Sequence, residues 1–220
     1  NEIASLCERN GANIDNVRNG MCADSRIGTH FFRPGIGYGG SCFPKDTLAV
    51  MEMGENVHAP CLVNTAVHEL NQRQRTWFTN RILNHFDHEL AGKKIALWGL
   101  AFKPQTDDVR DAPSIDIANK LIDEGAEVIG FDPEAWNTFQ EEVPNINISM
   151  DMYEAIRGVD ALVICTEWAE FSTPDFKRVH SLLASPVIFD GRNLYKRNEM
   201  ADHGFNYYSV GRPTVELAVA

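Results

Sequence analysis

The sequence predicts an α/β protein, a helical front portion over residues 1–90 followed by a doubly wound parallel sheet over residues 91–220. Two observations carry this reading. Apolar residues recur at spacings near three and four before residue 90, and short apolar runs alternate with amphipathic helices after Gly92. Residues 1–10 read as a helix, residues 13–19 as a short second one and residues 44–53 as a third. A long fourth spans about residues 60–88, where Leu62, Val63, Ala66, Val67, Leu70, Trp77, Phe78, Ile82 and Phe86 form a stripe. Ordinary core packing is the expectation for that stripe, with scaffolding or subunit contact as the role of the helix.

Four runs then read as buried parallel strands: Lys94-Ile-Ala-Leu-Trp98, Glu127-Val-Ile-Gly-Phe131, Ala161-Leu-Val-Ile-Cys165 and Val187-Ile-Phe189. Helices are predicted from Ser114 to Glu124 and near residues 151–157 and 175–183. This βαβ rhythm gives a Rossmann-like, right-handed doubly wound sheet. Ligands of such sheets bind beyond the carboxyl ends of the strands. The residues there are Gly99, Phe102 and Lys103, then Asp132, then Thr166 and Glu167, then Asp190, Gly191 and Arg192.

The most informative stretch is Gly35-Ile-Gly-Tyr-Gly-Gly-Ser-Cys-Phe-Pro-Lys-Asp46. Its glycines permit positive φ and a close backbone approach to a ligand. Pro44 suits the first position of a helix, because the N–H it lacks has no intrahelical partner there. Cys42 is thereby placed beside a helix N-terminus, where the dipole and free N–H groups favour a thiolate. Covalent catalysis at sulfur is the chemistry implied, with Lys45 and Asp46 just inside the helix. A small buried hydrophobe in a turn is the alternative for any single cysteine.

Composition narrows the classes. With 220 residues and 44% hydrophobic content the chain can bury a sizeable core. A formal net charge of −11 argues against nucleic-acid or anionic-membrane partners, so an anionic ligand needs a local cluster of cations. No run approaches the roughly 18 apolar residues of a membrane span. Five cysteines with no CxxC pair suggest neither a disulfide framework nor a structural zinc site. No metal is expected, and a reducing cytoplasm fits best. The start, Asn1-Glu-Ile-Ala-Ser-Leu-Cys-Glu-Arg9, has no initiator methionine and no signal-peptide pattern, and reads as the middle of a helix in a truncated chain.

The loop Gly99-Leu-Ala-Phe-Lys-Pro-Gln-Thr-Asp-Asp-Val-Arg110 is not the G-x-G-x-x-G of a dinucleotide site. Lys103, Arg110 and Arg192 instead suit phosphates or carboxylates, and a nucleoside diphosphate fits all three. A cysteine hydrolase would need a histidine base. The seven histidines, His30, His58, His68, His85, His88, His180 and His203, show no pattern linking one to Cys42.

Taken with Asp24-Ser-Arg-Ile-Gly28, Phe31-Phe-Arg-Pro34 and Phe189-Asp-Gly-Arg-Asn193, these motifs resemble the nucleotide-sugar dehydrogenases, the UDP-glucose/GDP-mannose dehydrogenase family, over essentially the whole chain. The resemblance implies a helical central dimerisation domain and a UDP-binding domain. It implies a four-electron, NAD-dependent oxidation of UDP-glucose to UDP-glucuronate, through a thiohemiacetal and a thioester on Cys42. Asp46 is then the aspartate that orients or activates water, with Lys45 in the same motif. Arg26, Phe31, Gly39, Lys103 and Arg192 hold the UDP-sugar, Arg26 reaching across from the second subunit of a homodimer. Arg110 sits near the NAD phosphates. Ser41 before Cys42 and the Arg-Ile-Gly context point to the UDP-glucose branch, with GDP-mannose as the alternative. The family's amino-terminal NAD-binding domain is expected to precede Asn1, so the isolated chain is expected not to turn over. A non-catalytic nucleotide-sugar-binding module is the remaining reading.

Overall fold

The computed structural model describes residues 1–217. Its helical front holds α1 (Glu2–Arg9), α2 (Ile14–Cys22), α3 (Phe43–Asn56) and α4 (Leu62–His85). The sheet follows, with strands β1 (Lys94–Trp98), β2 (Glu127–Phe131), β3 (Asn147–Ile148), β4 (Ala161–Ile164), β5 (Val187–Asp190) and β6 (Asn206–Ser209). Between the strands lie α5 (Pro113–Asp123), α6 (Trp136–Glu142), α7 (Met152–Ala155), α8 (Ala169–Ser172), α9 (Phe176–Leu182) and α10 (Arg197–Asp202).

All paired strands run parallel in the order β3-β2-β1-β4-β5-β6, a doubly wound sheet whose order reverses between β1 and β4. Alternation along each strand builds two cores. Ile95 and Leu97 of β1 and Val163 of β4 face a cluster with Phe78, Ile82, Ile117, Leu121 and Phe139. Ala96, Trp98, Leu162 and Ile164 face the other, with Ile156, Phe171, Val179 and Met200. Burial on both faces is why these strands read as unbroken apolar runs.

The helical front shares the first of these cores. Phe78, Ile82 and Leu83 of α4, together with Ala4 and Cys7 of α1, pack in the same cluster as Ile95 and Leu97. The expected core stripe of α4 therefore holds only for its second half, because Leu62 is 74% exposed and Val63 76%. Pro44 takes the second helical position rather than the first, with Phe43 opening α3 and Cys42 as its N-cap. Five elements were not legible in advance. β3 is only two residues long, β6 reads Asn-Tyr-Tyr-Ser rather than as an apolar run, α8 is a single four-residue turn, and α6 and α10 are mostly polar. No helix among the described residues is long and apolar enough to cross a membrane.

Candidate active site

The site is built where the glycine-rich loop before α3 docks onto two loops at the carboxyl edge of the sheet. One follows β1 and spans residues 99–112; the other follows β5 at Gly191 and Arg192. The space the glycines leave is filled by the protein itself, not left for a ligand. A Cβ on Gly39 would lie 2.2 Å from the Asp111 carbonyl oxygen, and one on Gly37 2.6 Å from Asn71 Oδ1. Gly35 would meet the Gly191 carbonyl oxygen at 2.8 Å. Backbone bonds complete the seam: Ile36 N–H donates to the Gly191 carbonyl at 3.1 Å, and Gly40 N–H to the Arg110 carbonyl at 2.9 Å.

Polar residues on one face of α4 grip this loop from behind. Asn71 accepts from the Tyr38 amide at 2.9 Å and donates to its carbonyl at 3.1 Å, and Gln74 donates to the Gly35 carbonyl at 2.8 Å. Arg75 donates to the Tyr38 carbonyl and reaches Asp111 and Asp116. The sequence reading missed these three residues. Their spacing of three and four within one helix was the available signal, masked by the apolar stripe beside them.

Cys42 emerges exposed at the head of α3, its Sγ 3.7 Å from Ser41 Oγ and its carbonyl accepting from the Asp46 amide at 2.8 Å. Lys45 and Asp46 form an exposed pair at 3.6 Å. Gly40, Ser41, Pro44 and Lys45 line a cleft of about 610 Å³, which Arg110 and Asp111 also line. Arg110 is fixed by Asp108 at 2.8 Å, and that bond, with a lesser contribution from Cys42, holds its guanidinium above the usual arginine range.

Arg192 stands in a second hollow of about 320 Å³, which also presents Arg18, Arg33 and Arg212. Its Nε donates to the Cys165 carbonyl at 2.7 Å and its Nη1 to the Gly37 carbonyl at 3.1 Å, with Glu167 at 3.4 Å. Sequence reasoning did not find Arg18, Arg33 or Arg212, since nothing in their spacing links them. Lys103 is exposed beside the Phe102 ring. Arg26, paired with Asp24, and Phe31, 95% exposed, lie between α2 and α3 and line neither hollow.

The end of β2 carries an acidic residue, but it is committed to the fold. Asp132 Oδ2 accepts from the Leu100 and Ala101 amides at 2.7 and 3.1 Å and from Trp168 Nε1 at 3.1 Å. Its Oδ1 accepts from the Glu134 and Ala135 amides. The carboxylate therefore fastens the loop after β1. Thr166 and Ser114 hydroxyls tie down the same loop at the Ala101 and Leu100 carbonyls.

Two family models match this chain. The UDP-binding domain of the UDP-glucose/GDP-mannose dehydrogenase family matches residues 96–197, and the central domain of the same family matches residues 1–73. The chain belongs to the UDP-glucose/GDP-mannose dehydrogenase family. Members similar to it include a UDP-glucose 6-dehydrogenase of Rhizobium meliloti, 45% identical over 97% of this chain and 49% of the relative. Another, of Pseudomonas aeruginosa, is 41% identical over 97% of this chain and 48% of the relative. The chain thus spans about half the length of the curated family members it matches. Among solved structures, a UDP-glucose dehydrogenase of Pyrobaculum islandicum superposes with a TM-score of 0.84 at 30% identity, over 96% of this chain and 46% of that one. An NDP-N-acetyl-D-galactosaminuronic acid dehydrogenase of Methanosarcina mazei gives 0.82 at 28% identity, over 96% and 46%.

Proposed function

We propose that this chain is the part of a UDP-glucose 6-dehydrogenase that carries the nucleophile and the UDP-sugar site, in an enzyme that oxidises UDP-glucose to UDP-glucuronate. The observation that carries this reading is the bond from the Gly40 amide, two residues before exposed Cys42, to the Arg110 carbonyl of the loop that also bears Lys103. The loop of the thiol and a loop that carries cations meet along one seam, which suits covalent catalysis on a phosphorylated sugar.

NAD, when bound, supplies the acceptor for the hydrides that leave the sugar C6. The residues of this chain fit it at one edge, where Arg110, in the cleft lined by Ser41, Pro44 and Lys45, suits its phosphates. The sheet does not fit a dinucleotide, because Asp132 is spent on the protein's own donors. The nicotinamide site is therefore assigned outside the described residues.

Cys42 Sγ, as thiolate, adds to the C6 aldehyde; a C–S bond forms and the carbonyl oxygen takes the displaced electron pair. Oxidation of that thiohemiacetal leaves a thioester. Water then adds to its carbonyl carbon, the C–S bond breaks with its electrons returning to sulfur, and the carboxylate product departs. Asp46, in the first turn of α3 behind Cys42, orients this water, and Lys45 offsets developing negative charge. Lys103 and Arg192 hold the UDP portion. Arg26 and Phe31, exposed in a single copy, complete the site of a second copy in a homodimer formed through α3 and α4, whose Met53, Leu62 and Val63 are uncovered, as is Val57 just after α3.

The test is the full enzyme bearing this sequence, incubated with UDP-glucose and NAD+. NADH release is expected from the native protein and its loss from Cys42→Ala. An enzyme with Cys42→Ala that still delivers UDP-glucuronate at the native rate would end this reading.

A further inference from the structure

We propose that Arg75 is a positioning residue for the thiol chemistry, clamping the Cys42 loop and the Lys103–Arg110 loop into one register; this rests on the function proposed above. Its guanidinium joins three elements. Nη2 donates to the Tyr38 carbonyl at 2.7 Å, four residues before Cys42, and to the Asp111 carbonyl at 3.0 Å, one residue after Arg110. Nη1 donates to Asp111 Oδ1 at 2.8 Å and to Asp116 Oδ2 of α5 at 2.9 Å. The side chain is 5% exposed, so these bonds form where water competes little.

Asn71 and Gln74 also hold the glycine loop, yet their bonds end on it. Arg75 alone of the three continues to the loop after β1. Its partner Asp111 sits at φ +50°, a left-handed conformation that side chains other than glycine, asparagine and aspartate seldom adopt. The fork holds that residue's carboxylate and carbonyl together. A lysine keeps the charge but presents one nitrogen, which cannot span Tyr38, Asp111 and Asp116 at once. Arg75 touches neither Cys42 nor the candidate anion-binding cations, so it acts through the separation between them.

The conservative variant Arg75→Lys is the test, with Thr79→Ala as a control that removes one buried hydrogen bond on the same helix, from the Thr79 hydroxyl to the Arg75 carbonyl. The first readout is amide hydrogen exchange. Arg75→Lys is expected to speed exchange by about tenfold or more at both loops, including the Gly40 amide that bridges them, while Thr79→Ala leaves both slow. Loosening of one loop only, or of neither, would overturn the clamp. The second readout is turnover of the full enzyme: a fall in kcat of about 10- to 100-fold follows from a misplaced nucleophile, and it exceeds any rise in KM for UDP-glucose that the loosened Lys103 loop brings. Unchanged kcat, or a rise in KM alone, would overturn the positioning role. If the native enzyme fails to oxidise UDP-glucose, the functional reading falls, while the exchange measurement still decides whether Arg75 couples the two loops.

Discussion

The Gly40 amide donates to the Arg110 carbonyl at 2.9 Å, so the loop that carries the nucleophile and the loop that carries a candidate phosphate-binding arginine are hydrogen-bonded two residues before Cys42. The bond requires the backbones to meet without side chains between them. Gly40 has φ +93°, and a Cβ there would lie 2.7 Å from the Phe102 ring.

Gly40→Ala is therefore expected to lower stability by about 2 kcal/mol or more, from left-handed strain together with overpacking against Phe102. Urea denaturation measures it. Because the seam rather than the core is disturbed, the same variant is expected to lose turnover beyond what its folded fraction explains. A variant as stable and active as the native protein would show that the seam tolerates a side chain.

Much of this arrangement was legible in the sequence. The four apolar runs became central strands because burial on both sheet faces leaves no polar alternation to confuse the reading. The glycine cluster reads as leaving room for a ligand, whereas in three dimensions the glycines face Asn71, Phe102, Asp111 and Gly191 of the protein itself. The clamp on α4 was hidden because Asn71, Gln74 and Arg75 look like the wet face of an amphipathic helix. Asp132 and Asp190 show the same limit. Each stands at a strand end, where a ligand-binding carboxylate is expected, and each is buried among the protein's own donors; for Asp190 these are the Arg192, Leu194 and Tyr195 amides and the Tyr207 hydroxyl.

Arg192 is half anchored and half available. Its Nε and Nη1 are spent on the Cys165 and Gly37 carbonyls, whereas Nη2 makes no hydrogen bond among the described residues. Removing the side chain takes away about 1.5–3 kcal/mol if that nitrogen meets a phosphate or a nucleotide oxygen. Arg192→Ala is thus expected to weaken UDP-glucose binding by about tenfold or more in calorimetric titration. GDP-mannose, titrated in parallel, is expected to bind more weakly than UDP-glucose to the native chain. Equal UDP-glucose affinity in the variant would place the nucleotide elsewhere.

His85 links α4 to β6 and gives the fold a pH signature. Its Nδ1 lies 3.0 Å from the Tyr208 hydroxyl, and its ring stands edge-on to Phe86, Phe189 and Tyr208. Burial among these rings lowers its pKa from the ordinary 6.5, and the opposing pull of Glu216 and Asp87 does not cancel that effect. The sign follows by linkage. Between the ordinary value and the lowered one the unfolded chain binds the proton and the folded chain does not, so stability rises with pH across that window. The contribution is fully present above the ordinary histidine range and is lost as pH falls through the lowered value. His85→Gln removes the titration. Its unfolding free energy, measured in urea from pH 8 down toward the carboxylate range, is expected to decline less steeply below about pH 6.5 than that of the native chain. Parallel curves for the two proteins would mean that His85 is protonated as readily in the fold as in the unfolded chain.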